Sequence, residues 1–249
     1  MTNADPSKGP PDRGALRLLL LSNSRNPGQA PLAHALEAIA NLLGPTRELT
    51  FIPYAAVTIT AEEYTAKVRE ALESIEVVVR SVTEMSDPVA AVREARAVAV
   101  GGGNSFQLLK RMYETGLFGA VRTRVTEGVP YLGWSAGSNL ACPTIRTTND
   151  MPVVEPPSLV ALGFVPFQIN PHYTDRVLPD FEGETRDERI GEFLWLNPEV
   201  RVVGLREGSW LELAGSALSL HGPHALRLFE YGRAARDIPS GGDLSVLLG

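Results

Sequence analysis

Cysteine is almost missing from this chain: Cys142 is the single one in 249 residues. One thiol closes no intramolecular disulfide and completes no cysteine zinc cluster, which excludes disulfide-stapled secreted scaffolds and zinc-ribbon folds. Long apolar runs are missing as well. No stretch reaches the roughly 18 apolar residues that a membrane-crossing helix needs. Positive charge is the minority sign, with 23 Lys and Arg against 29 Asp and Glu, a net charge of −6 and a pI near 5.3. That balance argues against a surface built to neutralise phosphates, and so against nucleic acid as a partner. The apolar segment 15–21 has no basic region before it and no small-residue cleavage site after it, so it reads as a strand rather than a signal peptide. These absences predict a soluble protein of a reducing compartment, the cytoplasm. What is present, 44% hydrophobic residues, suffices for one large α/β domain.

Residues 1–14 (MTNADPSKGPPDRG) carry three prolines and almost no apolar side chains, so burial cannot offset their ordering entropy. They are expected to form a disordered leader to a single domain over 15–249. From there the pattern alternates. Strands are expected at 15–21, 49–54, 77–82, 97–100 and 129–134. Helices are expected at 32–43, from Thr60 onward with a Thr60/Glu63 capping box, and at 88–95, 105–114 and 117–127. This rhythm predicts a doubly wound, mostly parallel sheet with helices on both faces. Residues 149–180 break it, being rich in Pro and Asn, and long irregular segments inside a compact domain are usually functional. A helix is expected at 187–195. Short strands at 200–205, 209–213, 217–220 and 225–231, separated by Gly turns, predict a β-rich, antiparallel C-terminal part.

The string Gly133-Trp134-Ser135-Ala136-Gly137 follows a strand and precedes a small-residue helical start. Such strings also occur in ordinary turns, but here the glycines permit a sharp strand-to-helix turn that exposes the serine hydroxyl. The Ala136 N–H then points at any oxyanion formed on an attacked carbonyl. Four histidines are available as its base. His34 sits in a periodic helix and reads as packing. His221 and His224 lie between strands of the β-rich tail. His172, just after the apolar run 164–169, falls in a loop at a strand's C-terminal end, where α/β folds gather active groups. The acid that orients it is either Asp150 or Glu207; a strand end favours Glu207, because a rigid element pre-organises better than a loop.

The run Gly101-Gly102-Gly103-Asn104-Ser105 lacks the Lys of a phosphate loop, and makes better sense as a second oxyanion donor beside the serine. Arg186 directly precedes the helix expected at 187–195, where an arginine is ordinarily solvated beside an N-terminal cap; near a Ser–His site a guanidinium is the natural bidentate partner of a substrate carboxylate. Cys142 reads as a small packing residue.

Several strings together resemble the peptidase E family, the aspartyl dipeptidases among serine peptidases. They are LSNS at 21–24, GGGN at 101–104 with FQLL at 106–109, GWSAG at 133–137, ACPTIRTTNDMP at 141–152, QINPHY at 168–173 and GETR at 183–186. The resemblance spans nearly the whole chain after the leader, in order. It implies a class I glutamine-amidotransferase-like fold and hydrolysis of dipeptides with N-terminal aspartate, without metal or cofactor, on a small peptide as substrate. By motif, Ser135 matches the nucleophile, His172 the base, Gly103 and Ala136 the oxyanion donors, and Arg186 the reader of the aspartyl side chain. The family's acid matches either Asp150 or Glu207. The loop 175–182 (DRVLPDFE), with Ser105 and Ser138, departs from close relatives. The rival expectations are a carboxypeptidase or broader exopeptidase on this fold, a non-catalytic binding protein of the same fold, and an α/β-hydrolase with His224 as base.

Overall fold

The computed structural model describes residues 15–176 and 182–249; the expected leader and the middle of the 175–182 loop lie outside them. Strands β1 (Arg17–Leu21), β2 (Glu48–Ile52), β3 (Val78–Ser81), β4 (Val98–Val100) and β5 (Tyr131–Trp134) pair in parallel in the order β3-β2-β4-β5-β1. Two further strands, β8 (Trp210–Ala214) and β9 (Ala217–His221), extend the sheet antiparallel beyond β1. The connecting helices are α1 (Leu36–Leu43), α2 (Ala61–Leu72), α3 (Pro88–Arg93), α4 (Ser105–Glu114), α5 (Leu117–Thr126) and α6 (Ala136–Leu140).

Successive residues of a strand point to opposite faces, and both faces here are dry. Leu18 and Leu20 of β1 pack with Leu108 and Leu109 of α4 and Val121 of α5, whereas Leu19 and Leu21 pack with Ile39 of α1 and Val68 of α2. That is why the central strands read as unbroken apolar runs. The helix starts are chemical. Thr60 and Glu63 form the expected capping box, Asp87 caps α3 ahead of Pro88, and the Asn104 side chain accepts from the Phe106 and Gln107 amides to open α4.

A second sheet, in the order β11-β10-β7-β6, contains β6 (Gln168–Tyr173), β7 (Arg201–Arg206), β10 (Leu226–Glu230) and β11 (Arg236–Ile238). Within the C-terminal part the strands pair antiparallel, as expected, and β7 pairs in parallel only with β6, which lies before it in the chain. Helix α7 (Arg186–Leu196) covers this sheet through Ile190 and Leu194 against Tyr173, Val202 and Phe229. On its other side Ile169, Val203 and Leu205 join the core of the large sheet.

The strand expected at 164–169 is also corrected. Phe164, Val165 and Phe167 are buried in loop backbone, and β6 begins only at Gln168 and runs through His172. The strand's extent is set by pairing with β7, which side-chain hydrophobicity does not report. His172 therefore stands inside a strand, at an irregularity between Pro171 and Tyr173 and with a backbone φ of 54°.

Candidate active site

The serine turn is built by the chain around it. From 131 to 142, Ser135 alone is not buried, so its hydroxyl is the one side chain of this stretch that reaches the surface. Its backbone has φ 53° and ψ −112°. Such a conformation costs about 1–3 kcal/mol unless its surroundings enforce it. Here the Ser135 N–H donates to the Leu21 carbonyl at 3.1 Å, and the Ser138 and Asn139 amides donate back to the Ser135 carbonyl at 2.9 and 3.0 Å. The Ser138 hydroxyl lies 2.7 Å from the Leu21 carbonyl and 3.0 Å from that of Gly133, pinning the helix start to two strand ends. Gly137 is obligatory for contact reasons: a Cβ there would lie 2.1 Å from the Val100 carbonyl oxygen.

The oxyanion candidates flank the serine. Ala136 is the first residue of α6, where an N–H has no intrahelical partner. The Gly101–Gly103 turn packs on the other side, so closely that a Cβ at Gly102 would sit 3.0 Å from that of Ser135. Gly103 has φ 136° and is pressed on the Ala55 carbonyl, which a Cβ would approach to 2.2 Å.

His172 Nε2 lies 2.8 Å from Ser135 Oγ, and His172 Nδ1 lies 2.7 Å from Glu207 Oε1. Both ring nitrogens are thus engaged, one by the hydroxyl and one by the carboxylate. With Nδ1–H donating to Glu207, Nε2 is left as the acceptor facing the serine. The Glu207 side chain is 53% exposed, so this pairing orients the ring rather than contributing much to stability.

The other candidates lie apart from this chain of contacts. Asp150 Oδ2 accepts from the Ser105 amide at 2.7 Å and the Thr148 hydroxyl at 3.0 Å, holding the irregular segment to the start of α4. His34 packs on Trp210 and His221 stacks on it, with ring centroids 6.2 and 5.7 Å away. His224 offers its carbonyl to Ser209. Cys142 is buried, its thiol pushed up to about 12 by desolvation, and its sulfur accepts the Ile169 amide. Arg186 is the first residue of α7, beside the Thr185 cap. Its Nη1 is buried with no hydrogen-bond partner among the described residues. Burial lowers this guanidinium below its ordinary value, neighbouring Arg189 adding to the effect and Tyr173 opposing it. It remains cationic at neutral pH.

Three residues hold this geometry that the sequence reading left without a role. The Ser22 hydroxyl donates to the Leu205 carbonyl at 2.7 Å and accepts the His172 amide at 2.8 Å, so one buried side chain ties β1, β6 and β7 at the base. Asn23 Oδ1 accepts the amide of Gly208, next to Glu207, at 2.8 Å. Tyr64 donates to the Gly102 carbonyl at 3.0 Å and accepts from Trp134 Nε1 at 2.9 Å. A polar Ser-Asn pair directly after the apolar run Leu18, Leu19, Leu20 and Leu21 is the one sequence signal that marks the first two.

A serine on a tight turn at the end of a parallel strand, met by a histidine and a carboxylate from a second sheet, has the arrangement of a serine hydrolase on a class I glutamine-amidotransferase-like fold. Comparison with known proteins narrows the class. Residues 18–221 match peptidase family S51. Peptidase E of Salmonella newport is 49% identical over 226 residues, covering 91% of this chain and 99% of that protein. Peptidase E of a Nostoc species is 46% identical over 233 residues, covering 93% and 96%. In fold, the chain superposes on a peptidase from an acI-B1 actinobacterium with a TM-score of 0.64 at 14% identity, covering 94% of this chain and 98% of that one. A candidate peptidase E from Listeria monocytogenes gives 0.62 at 20% identity, covering 84% and 98%. This chain belongs to peptidase family S51. It is a peptidase of the dipeptidase E type, and peptides are its substrates. Among the described residues no helix is long and apolar enough to cross a membrane.

Proposed function

We propose that the protein is a cytoplasmic serine dipeptidase that hydrolyses Asp-Xaa, with Ser135 as nucleophile, His172 as base and Glu207 as the acid that orients it. The observation that carries this reading is the unbroken contact chain from Ser135 Oγ through both nitrogens of His172 to Glu207. His172 takes the hydroxyl proton as Ser135 Oγ attacks the scissile carbonyl, then delivers it to the leaving amine as the C–N bond breaks. Water activated by the same histidine hydrolyses the aspartyl ester and releases free aspartate. The Ala136 and Gly103 amides stabilise the tetrahedral oxyanion, each worth about 3 kcal/mol in such sites. Asp150 keeps the Gly-rich turn and the irregular segment in register.

Arg186 pairs with the aspartyl side-chain carboxylate. Its buried and unpartnered Nη1 supports that role, because a buried guanidinium nitrogen without an acceptor is costly until a ligand supplies one. Ser135→Ala is expected to abolish Asp-Leu hydrolysis with the melting temperature unchanged; retained turnover would sink the mechanism. Arg186→Met is expected to remove the preference for Asp-Leu over Ala-Leu. An unchanged ratio of kcat/KM values would refute the carboxylate reader.

A further inference from the structure

Each of the three functional side chains on the second sheet and its helix has a chain neighbour in one ionic cluster. His172 is followed by Tyr173, Arg186 is followed by Asp187, and Glu207 is preceded by Arg206. The Tyr173 hydroxyl donates to Asp187 Oδ1 at 2.5 Å. Arg227, from β10, closes the other carboxylate oxygen, with Nε and Nη2 at 3.1 and 3.0 Å from Asp187 Oδ2. Arg206 lies over the Tyr173 ring at 5.3 Å and reaches Asp237 at 3.2 Å, and Asp237 in turn meets Arg227 at 3.4 Å. The ring has no freedom to move inward, since even a Cβ on Gly204 beneath it would come within 2.7 Å.

We infer that Tyr173, through its hydrogen bond to Asp187, is a positioning residue that sets Arg186 relative to His172 and so governs selectivity for the side-chain carboxylate of an N-terminal aspartate. The inference rests on the reading of Arg186 given above. The physical argument is one of lever arms. Helix α7 packs on the sheet through Ile190 and Leu194, one and two turns beyond Arg186, which leaves its first turn to be located by polar contacts. The Thr185–Glu188 capping box is internal to the helix and fixes nothing relative to the base. Asp187 is the first-turn residue that bonds across to the sheet, and of its two partners there, Arg227 and Tyr173, the second adjoins His172. A charge-assisted hydrogen bond between the direct neighbours of base and reader transmits the placement of one to the other with little slack.

The test is Tyr173→Phe, which keeps the buried ring and deletes only the hydroxyl. Kinetics on Asp-Leu and Ala-Leu read the carboxylate reader, and p-nitrophenyl acetate turnover reads the Ser–His–Glu chain without it. The expected result is about a tenfold rise in KM for Asp-Leu, the size of one lost charge-assisted hydrogen bond, with a narrowed Asp/Ala ratio and ester turnover within about twofold. Asp187→Asn, which keeps an acceptor for Tyr173, is expected to fall between wild type and Tyr173→Phe. Equal losses on dipeptide and ester would make the cluster a general support of the base and overturn the inference. So would a Tyr173→Phe enzyme with the wild-type Asp/Ala ratio. A wild-type enzyme that itself shows no preference for Asp-Leu overturns the specificity reading first, and is distinguishable because the variant need not be made.

Discussion

The two halves of the site are assembled by different physics. The serine half, strands β1, β4 and β5 with the turn into α6, is held mainly by backbone hydrogen bonds and close backbone approach at glycine, with the Ser138 hydroxyl added. Ser135 touches Leu21, Ser138 and Asn139 through main-chain groups alone. The histidine half, β6 and β7 with α7, adds side-chain ties to its strand pairing: Ser22 on His172, Asn23 on Gly208, and Tyr173 and Arg227 on Asp187. A turn pressed on fixed backbone groups, here those of Leu21, Val100 and Ala55, tolerates almost no substitution. A pair of strands brought edge to edge needs distant partners for every functional side chain it carries, and each partner is a separate point of failure.

That contrast can be broken first at the acid. Glu207→Gln leaves the shape of the site but favours the wrong imidazole tautomer, and kcat is expected to fall by roughly 10³–10⁴-fold. Asp150→Asn is expected to keep kcat within about fivefold and to lower stability by about 1 kcal/mol, because its contacts are those of a helix start. Steady-state kinetics with thermal melts decide it; the reverse pattern would hand the orienting role to Asp150. Next comes the local half. Gly137→Ala places a methyl on the Val100 carbonyl and is expected to cost roughly 3 kcal/mol or more in urea unfolding. Gly204→Ala meets a side-chain ring instead of backbone, at 2.7 Å, and should cost less. Similar midpoints for the two would erase the distinction between backbone-built and side-chain-built halves.

Ser22→Ala sharpens the comparison from the other side. It strips the partner from the His172 amide and the Leu205 carbonyl, so a loss of about 1–3 kcal/mol is expected, with kcat reduced about tenfold. Wild-type kcat in a merely destabilised Ser22→Ala would mean that Ser22 supports the fold and not the base. The smallest effect concerns Cys142. Its thiol is raised by burial from 9.0 to about 12 in the folded state, so below pH 9.0 it is neutral in folded and unfolded chains alike. As pH rises from 9.0 towards 12 the unfolded thiol ionises first, and stability falls across that window. Cys142→Ala removes this alkaline slope, which urea titrations at pH 8 and 10 would read. At pH 8 the native thiol should resist a disulfide reagent that labels the unfolded chain, and rapid native labelling would contradict its burial.

The legibility of the site follows the same divide. Ser135 could be read from five consecutive residues because the turn is local: strand, glycine, serine, glycine and helix start are all encoded within the turn. The capping boxes at Thr60 and Thr185 are legible for the same reason, as each is closed by a residue three positions on. His172 stands near the end of β6 rather than in the expected loop. Its place within β6 depends on pairing with β7, some thirty residues away in the chain. Tyr64 carries no recognisable signal of function and Ser22 only its place after an apolar run, since a serine or tyrosine acquires its meaning from which carbonyl it meets. Nor did charge counting anticipate that Asp187, Arg206, Arg227 and Asp237 would form one cluster.

The amino-acid sequence by itself thus determined the alternating α/β architecture, through apolar runs, caps and stops that act over a few residues. It also determined the serine turn, through glycines where no Cβ fits. Only the tertiary structure decided between Glu207 and Asp150 as the neighbour of His172, because both acids stand at plausible sequence distances and long-range strand pairing delivers one of them. Hydrophobic periodicity and local sterics are written in adjacent residues. The meeting of a carboxylate with an imidazole 35 positions away is written only in the pairing of β6 with β7.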